Sequence, residues 1–177
     1  MNCRIRKFLS WLLLIGAIAI FTLIGLGILD TPSASATIRQ LEESPHQMIY
    51  QSHQSLKDQH GNTWQTVAFK RVLPDGNSSF ELRLVGFPNI VEIDHSQPLT
   101  LSNSLGKTFL AVDNSEHIFP DGSQPQSNVG QYDLQPLLSE LEAEIPMQIS
   151  LATVKGDLIS LSIPNSLVAE WQTVANY

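Results

Sequence analysis

Five histidines, three closely spaced glutamates and one Asp-His pair are the side chains of this 177-residue chain best suited to chemistry. His46, His53 and His60 recur every seven residues, and His95 and His117 follow. A metal centre needs ligands that converge at fixed bond lengths. In a strand, an odd separation puts His46 and His53 on opposite faces, and His60 belongs to a turn, so no metal site is expected. Asp94-His95 has the composition of a pair that orients an imidazole toward a serine nucleophile. Adjacent strand residues point apart, however, and no Gly-x-Ser-x-Gly elbow is present, which argues against a hydrolase. Glu140, Glu142 and Glu144 could share acid and base roles. Glu140 and Glu144 fall on the wet side of an expected amphipathic helix, at the end where negative charge opposes the dipole. They read as a solvated face, or as a partner-docking surface. Gly106-Lys107-Thr108 is the nearest approach to a phosphate loop, but Leu101 stands where its first glycine is needed. The chain therefore reads as a non-enzyme with no catalytic residue, metal or cofactor.

Seventeen acidic and ten basic side chains give a formal charge of −7. That balance argues against nucleic acid, whose phosphates recruit Lys and Arg. The single cysteine, Cys3, lies in the first few residues. The remainder can have no disulfide, thiolate nucleophile or cysteine-based metal site, and must rely on its apolar core.

Arg4, Arg6 and Lys7 precede an uncharged run from Phe8 to Leu29, and Ala34-Ser35-Ala36 follows. A basic start, an apolar stretch and a small-x-small triplet make up an export signal. Cleavage after Ala36 would leave Thr37 first. The twenty-two residues of this run also span roughly 33 Å as a helix, enough for a retained membrane anchor. Residues 1–36 are thus expected to be a signal peptide or anchor, and 37–177 a single exported β-rich domain. That domain keeps seven Lys and Arg against sixteen Asp and Glu, a net −9. Such a charge repels anionic lipid headgroups.

The elements that must position any site follow a period of two. Phe80-Glu81-Leu82-Arg83-Leu84 alternates apolar and charged residues, as a strand with one buried face does. Strands are expected at Gln47–Leu56, Thr63–Val72 and Phe80–Phe87, separated by His60-Gly61-Asn62 and Pro74-Asp75-Gly76-Asn77. Met147–Ala152 and Ile159–Ile163 flank Lys155-Gly156-Asp157 as a hairpin. Ile90–Ile93, Leu99–Leu101 and Lys107–Val112 read as shorter strands, and Pro120–Gly130 as an exposed loop. Leu134, Leu137, Leu138, Leu141 and Ile145 share one helical stripe behind Asp133, and a second helix is expected over Ser166–Ala175. The fold class is mainly β, or α+β: a curled antiparallel sheet, open barrel or sandwich, covered by two short helices near the C-terminus. Trp64, Phe69, Phe80, Phe87 and Trp171 read as core aromatics, or as the lining of a barrel cavity.

Ile38-Arg39-Gln40-Leu41-Glu42-Glu43 and Pro45-His46-Gln47-Met48-Ile49-Tyr50-Gln51-Ser52 carry a resemblance, together with Phe69-Lys70-Arg71 and Leu82-Arg83-Leu84-Val85-Gly86-Phe87-Pro88. On these segments the chain resembles a family of exported cyanobacterial proteins of unknown function. The resemblance covers most of residues 37–163. It implies a home in the thylakoid lumen or periplasm and supplies no catalytic residues.

The expected function is that of a non-catalytic accessory protein, membrane-associated and bound to a membrane protein complex, with a photosynthetic complex the named candidate. A carrier holding a small apolar ligand in a barrel cavity is the alternative. For partner contact the first residue is Arg83, which projects opposite the apolar face of its strand, followed by the Gly86-Phe87-Pro88 corner. Pairing of Arg83 with an acidic neighbour on the wet face is the simpler expectation for that residue.

Overall fold

In the computed structural model the described residues are Trp11, Leu13, 38–44, 47–119 and 121–177. The apolar run, the alanine triplet and His46 lie outside them, except for Trp11 and Leu13. Among the described residues no helix is long and apolar enough to cross a membrane. The chain divides after Ser35 into two units, and the second, residues 36–177, holds the sheet.

Nine strands build one antiparallel sheet: β1 (Arg39–Ser44), β2 (Gln47–Lys57), β3 (Thr63–Val72), β4 (Ser78–Val85), β5 (Leu99–Asn103), β6 (Thr108–Asp113), β7 (Val129–Asp133), β8 (Met147–Ala152) and β9 (Leu158–Ile163). Their spatial order is β1-β2-β3-β4-β7-β6-β5-β8-β9. The first four pair in chain order as a meander, and the β2–β3 and β3–β4 connections are short turns whose chemistry the sequence supplies. At the β2–β3 turn, Gly61 takes φ +83°, a conformation that costs a side chain-bearing residue free energy. The Asp58 carboxylate binds that turn together. It accepts hydrogen bonds from the His60 and Asn62 backbone N–H groups, the Asn62 amide and the Trp64 indole. Burial opposes its charge, yet these donors hold its carboxyl below the usual carboxylate range.

The sheet curls without closing. A single bridge pairs Asp58 with Leu161 of β9. Next to it the Gln59 side chain stands in for a backbone amide, donating to Leu158 O at 2.7 Å and accepting from Ser160 N at 2.7 Å. These contacts satisfy part of the β9 edge that would otherwise be exposed. Inside the curl, alternate residues of every strand but β1 meet in one core, with Trp64, Phe80, Leu82, Leu84, Leu101, Tyr132, Ile149 and Leu161 fully buried. The helix α1 (Asn165–Ala175) buries Leu167, Val168, Trp171 and Val174 against it. Lys70 Nζ donates to Ala175 O at 2.8 Å, placing a cation at the negative end of the helix.

Several expectations change. The helix expected over Leu134–Ile145 is only a six-residue 3-10 segment, Gln135–Glu140, with Leu141 extended beyond it. Three glutamates at its C-terminal end oppose a helix dipole. The carbonyls of Leu141 and Glu144 instead accept amide hydrogen bonds from Gln172 and Asn165, on and at the start of α1. One covering helix of ordinary length therefore stands where two were expected. Ile90–Ile93 is loop, joined to β8's end only by the Ile93–Thr153 bridge. Two strands carry little sequence signal. One is β1, which is largely polar. The other is β7, whose first residues fall within the expected Pro120–Gly130 loop. Gly130 weakens the strand signal, yet the position needs glycine: an added Cβ would lie 2.6 Å from the Tyr132 hydroxyl.

Candidate functional site

Strand pairing fixes which side chains share the outer face. Across β1 to β7 it aligns Leu41, Ile49, Arg71 and Ser79 in one row, and Arg39, Gln51, Phe69, Glu81 and Asp133 in the next. A third row runs His53, Val67, Arg83 and Gln131. Paired residues of an antiparallel sheet point to the same side, so these rows form one lattice.

The lattice is not simply a wet face. Phe69, Glu81 and Gln131 are only 4%, 5% and 0% exposed. Arg71 and Arg83 lie over the Phe69 ring, with their guanidinium carbons 5.5 and 5.4 Å from its centroid. This geometry gives both a cation–π attraction and shelter for the ring. Gln131 Oε1 accepts from Arg83 Nε at 3.0 Å and from Nη2 at 2.6 Å. The other end of the same amide donates to Glu81 Oε2 at 2.9 Å, while Asn114 donates to Oε1 at 2.7 Å. Arg71 approaches Glu81 at 3.8 Å. Burial pushes the Glu81 carboxyl above its ordinary value, against the pull of Asn114 and Arg71. A buried carboxylate and a buried amide thus fix the direction of Arg83.

Over this network lies a groove of about 320 Å³ on the outer side of β1–β4. Leu41, Ile49, Val67 and Phe69 make it apolar, Arg71 and Arg83 bring positive charge, and Glu42 and Gln51 complete the lining. Leu41, on the edge strand, is 51% exposed. His53 flanks the same face, and its imidazole is held below the ordinary value by burial and by the Arg39 charge. A site of this kind can bind: it offers an apolar floor and positioned cations.

Arg83 is therefore in the groove, hydrogen-bonded to the Gln131 amide and stacked on an aromatic ring. The Gly86-Phe87-Pro88 corner lies outside the groove lining. Gly86 has a packing role, because a Cβ there would lie 2.9 Å from the Trp64 ring. Asn128 donates to its carbonyl at 2.8 Å. Phe87 is 61% exposed, so it is not a core aromatic.

The other candidates disperse. Asp94 accepts from the backbone and hydroxyl of Ser96, which hold its carboxyl below the usual range. The carboxylate on His95 is Asp113, 3.0 Å from Nδ1, and since a carboxylate only accepts, Nδ1 carries the proton. His95 Nε2 is buried without a hydrogen-bond partner. Nearby Ser115 is engaged elsewhere, its hydroxyl accepting from Gln131 N. Glu140 pairs with Lys107 across the surface, and Lys107 also lies 5.0 Å from the Phe109 ring. Gly106-Lys107-Thr108 belongs to the β5–β6 turn, where Asn103 Oδ1 accepts from the Leu105 and Lys107 backbones. Among the described residues no group of three or more His, Cys, Asp or Glu could hold a metal ion.

The groove is only partly foreseeable from sequence. Arg83 stands out by alternation, but Phe69 reads as core and Arg71 only as part of a resemblance. Register supplies the missing signal: once β2–β3 and β3–β4 are paired through their turns, Phe69, Arg71 and Arg83 fall on one face. No curated protein and no solved structure matches the chain. Residues 36–174 match the family described as a protein of unknown function, DUF3122, and the chain belongs to that family.

Proposed function

We propose that the chain is a non-catalytic accessory protein of the thylakoid lumen or periplasm that binds a membrane protein complex, a photosynthetic one in a cyanobacterial host. The observation that carries this reading is the groove, where Arg71 and Arg83 are held over Phe69 by a buried Glu81–Gln131 pair. Fixing cations above an apolar floor in advance of contact reduces the ordering cost of binding. The basic start, the apolar run and Ala34-Ser35-Ala36 support delivery across a membrane.

The experiment is affinity purification of the tagged full-length chain from solubilised native membranes. The reading expects a defined complex that is missing from an untagged control. Recovery of no specific complex contradicts it. A small apolar molecule found on the purified chain by native mass spectrometry would make the protein a carrier instead.

A further inference from the structure

We propose that the Glu81 carboxyl is an acid-operated latch: uptake of a proton there weakens its hold on Asn114 and loosens the 3-10 turn Ser115–His117, while Gln131 and Arg83 keep their places. The latch lies outside the groove lining and does not depend on what the groove binds.

Glu81 is buried, and its two oxygens are divided between two segments. Oε2 accepts from the Gln131 amide of β7, whereas Oε1 accepts from Asn114, the residue that starts the turn. Neutralising a buried carboxylate that joins two elements alters both contacts, because an acceptor becomes a donor. The charges facing it are Arg71 of β3 and Arg83 of β4, which favour the anion, and Asp133, paired directly across on β7, which disfavours it. Arg39 stands further along the same row. Burial, with help from Asp133, outweighs Asn114 and the arginines, so Glu81 takes up a proton at a higher pH than an ordinary glutamate.

The two donors are not equivalent. Gln131 Oε1 accepts twice from Arg83, at 3.0 and 2.6 Å, so turning that amide would set N–H groups against a guanidinium. Among the described residues no hydrogen bond fixes the Asn114 side-chain oxygen in the same way. The proton therefore settles on Oε1, and the Asn114 amide turns so that its oxygen accepts from the new O–H. A charge-assisted bond becomes a neutral one of roughly half the strength. Two other bonds keep the turn on β7: Asn114 N donates to Gln131 O at 2.7 Å, and Ser115 Oγ accepts from Gln131 N at 2.9 Å. The response is thus a loosening, not an unfolding. It reaches the surface, where Glu116, His117 and Phe119 are exposed. On its other side the turn meets a second titratable pair, Asp113, which accepts from Ser115 N, and His95.

The test is a pH titration of the full-length chain in nanodiscs of neutral lipid, read by NMR and amide hydrogen exchange. The Glu81 carboxyl carbon and the Asn114 side-chain amide should share one midpoint, above the ordinary glutamate range, while the Gln131 side-chain amide moves less. Across that midpoint, exchange protection at His117 and Ile118 should fall about fivefold, the difference between a charge-assisted and a neutral hydrogen bond. Glu81→Gln, whose amide mimics the protonated acid, should hold the turn at its acid level of protection at every pH. Asn114→Ala should do the same, and Asp133→Asn should lower the midpoint; these two carry the test if Glu81→Gln does not fold. Protection that stays flat through the Glu81 midpoint, or Gln131 moving as much as Asn114, would overturn the proposal. So would a transition that survives Glu81→Gln or Asn114→Ala and disappears in His95→Gln.

Discussion

The outer faces of the two halves of this sheet obey the same alternation and differ in almost everything else. On β5, β8 and β9 the outward residues are Thr100, Ser102, Gln148, Ser150, Ser160 and Ser162, with Ala152 and exposed Leu158 at the hairpin end, aligned by pairing. Most are too short to reach across a strand spacing, so that face has little relief. On β1–β4 and β7 several outward residues are long or aromatic, and these interlock: Phe69 under two arginines, and Gln131 between Arg83 and Glu81. The contrast shows that alternation identifies a strand but does not say whether its second face is solvent or structure. Side-chain length and cross-strand pairing decide that.

The comparison holds only if both halves stand on one core. Leu82→Ala on β4 and Ile149→Ala on β8 should each destabilise the protein by about 2–5 kcal/mol, because both side chains are fully buried. Denaturant unfolding followed by tryptophan fluorescence and far-ultraviolet circular dichroism should show a single coincident transition. Two transitions would mean that the halves are separate folding units.

The next effect compares the faces themselves. Gln131→Ala, on the structured outer face, should cost about 1–3 kcal/mol by leaving the Glu81 carboxylate short of a buried donor. Ser150→Ala, on the flat face, should stay within about 0.5 kcal/mol. Equal effects would erase the distinction.

A comparable but pH-dependent loss is expected at the turn that ties β2 to β9. Asp58→Asn should cost about 1–3 kcal/mol at neutral pH, because one carboxylate oxygen is replaced by a donor facing donors. The Asp58 carboxyl is lowered in the folded state, so its contribution is present above the ordinary carboxylate range and lost as pH falls through the folded value. The difference between wild type and variant should therefore shrink in acid, as a pH series of urea midpoints would show. Glu81 has the opposite sign: raised by burial, it lowers stability as pH rises from the ordinary carboxylate range through the folded value. The smallest effect is at the groove rim, where Leu41→Glu should move the unfolding midpoint hardly at all while removing binding.

Much of this is legible from residues alone. The bounds of β3 and the buried stripe of α1 (Leu167, Val168, Trp171 and Val174) follow from periods of 2 and 3.6. β7 is hidden because Val-Gly-Gln-Tyr-Asp has little apolar pattern. Its central position depends on Tyr132 packing over Gly130 and on Gln131 being satisfied by partners distant in sequence. The leucine stripe at 134–145 misleads for a related reason: Leu134 and Leu141 are buried, but Leu137 and Leu138 only half so, and α1 supplies the hydrogen bonds. Of the site, Arg83 is visible as a charged residue opposite an apolar face. Phe69 is not, because a buried aromatic on the outer face looks in sequence like any core aromatic.

The most direct measurement is site-specific photo-crosslinking in native membranes, with benzoyl-phenylalanine placed at Leu41 beside the groove or at exposed Leu110 on the other half. The account predicts a discrete adduct to one membrane-complex subunit from position 41 and none from 110. An adduct from 110 alone, or the same adducts from both, would contradict it.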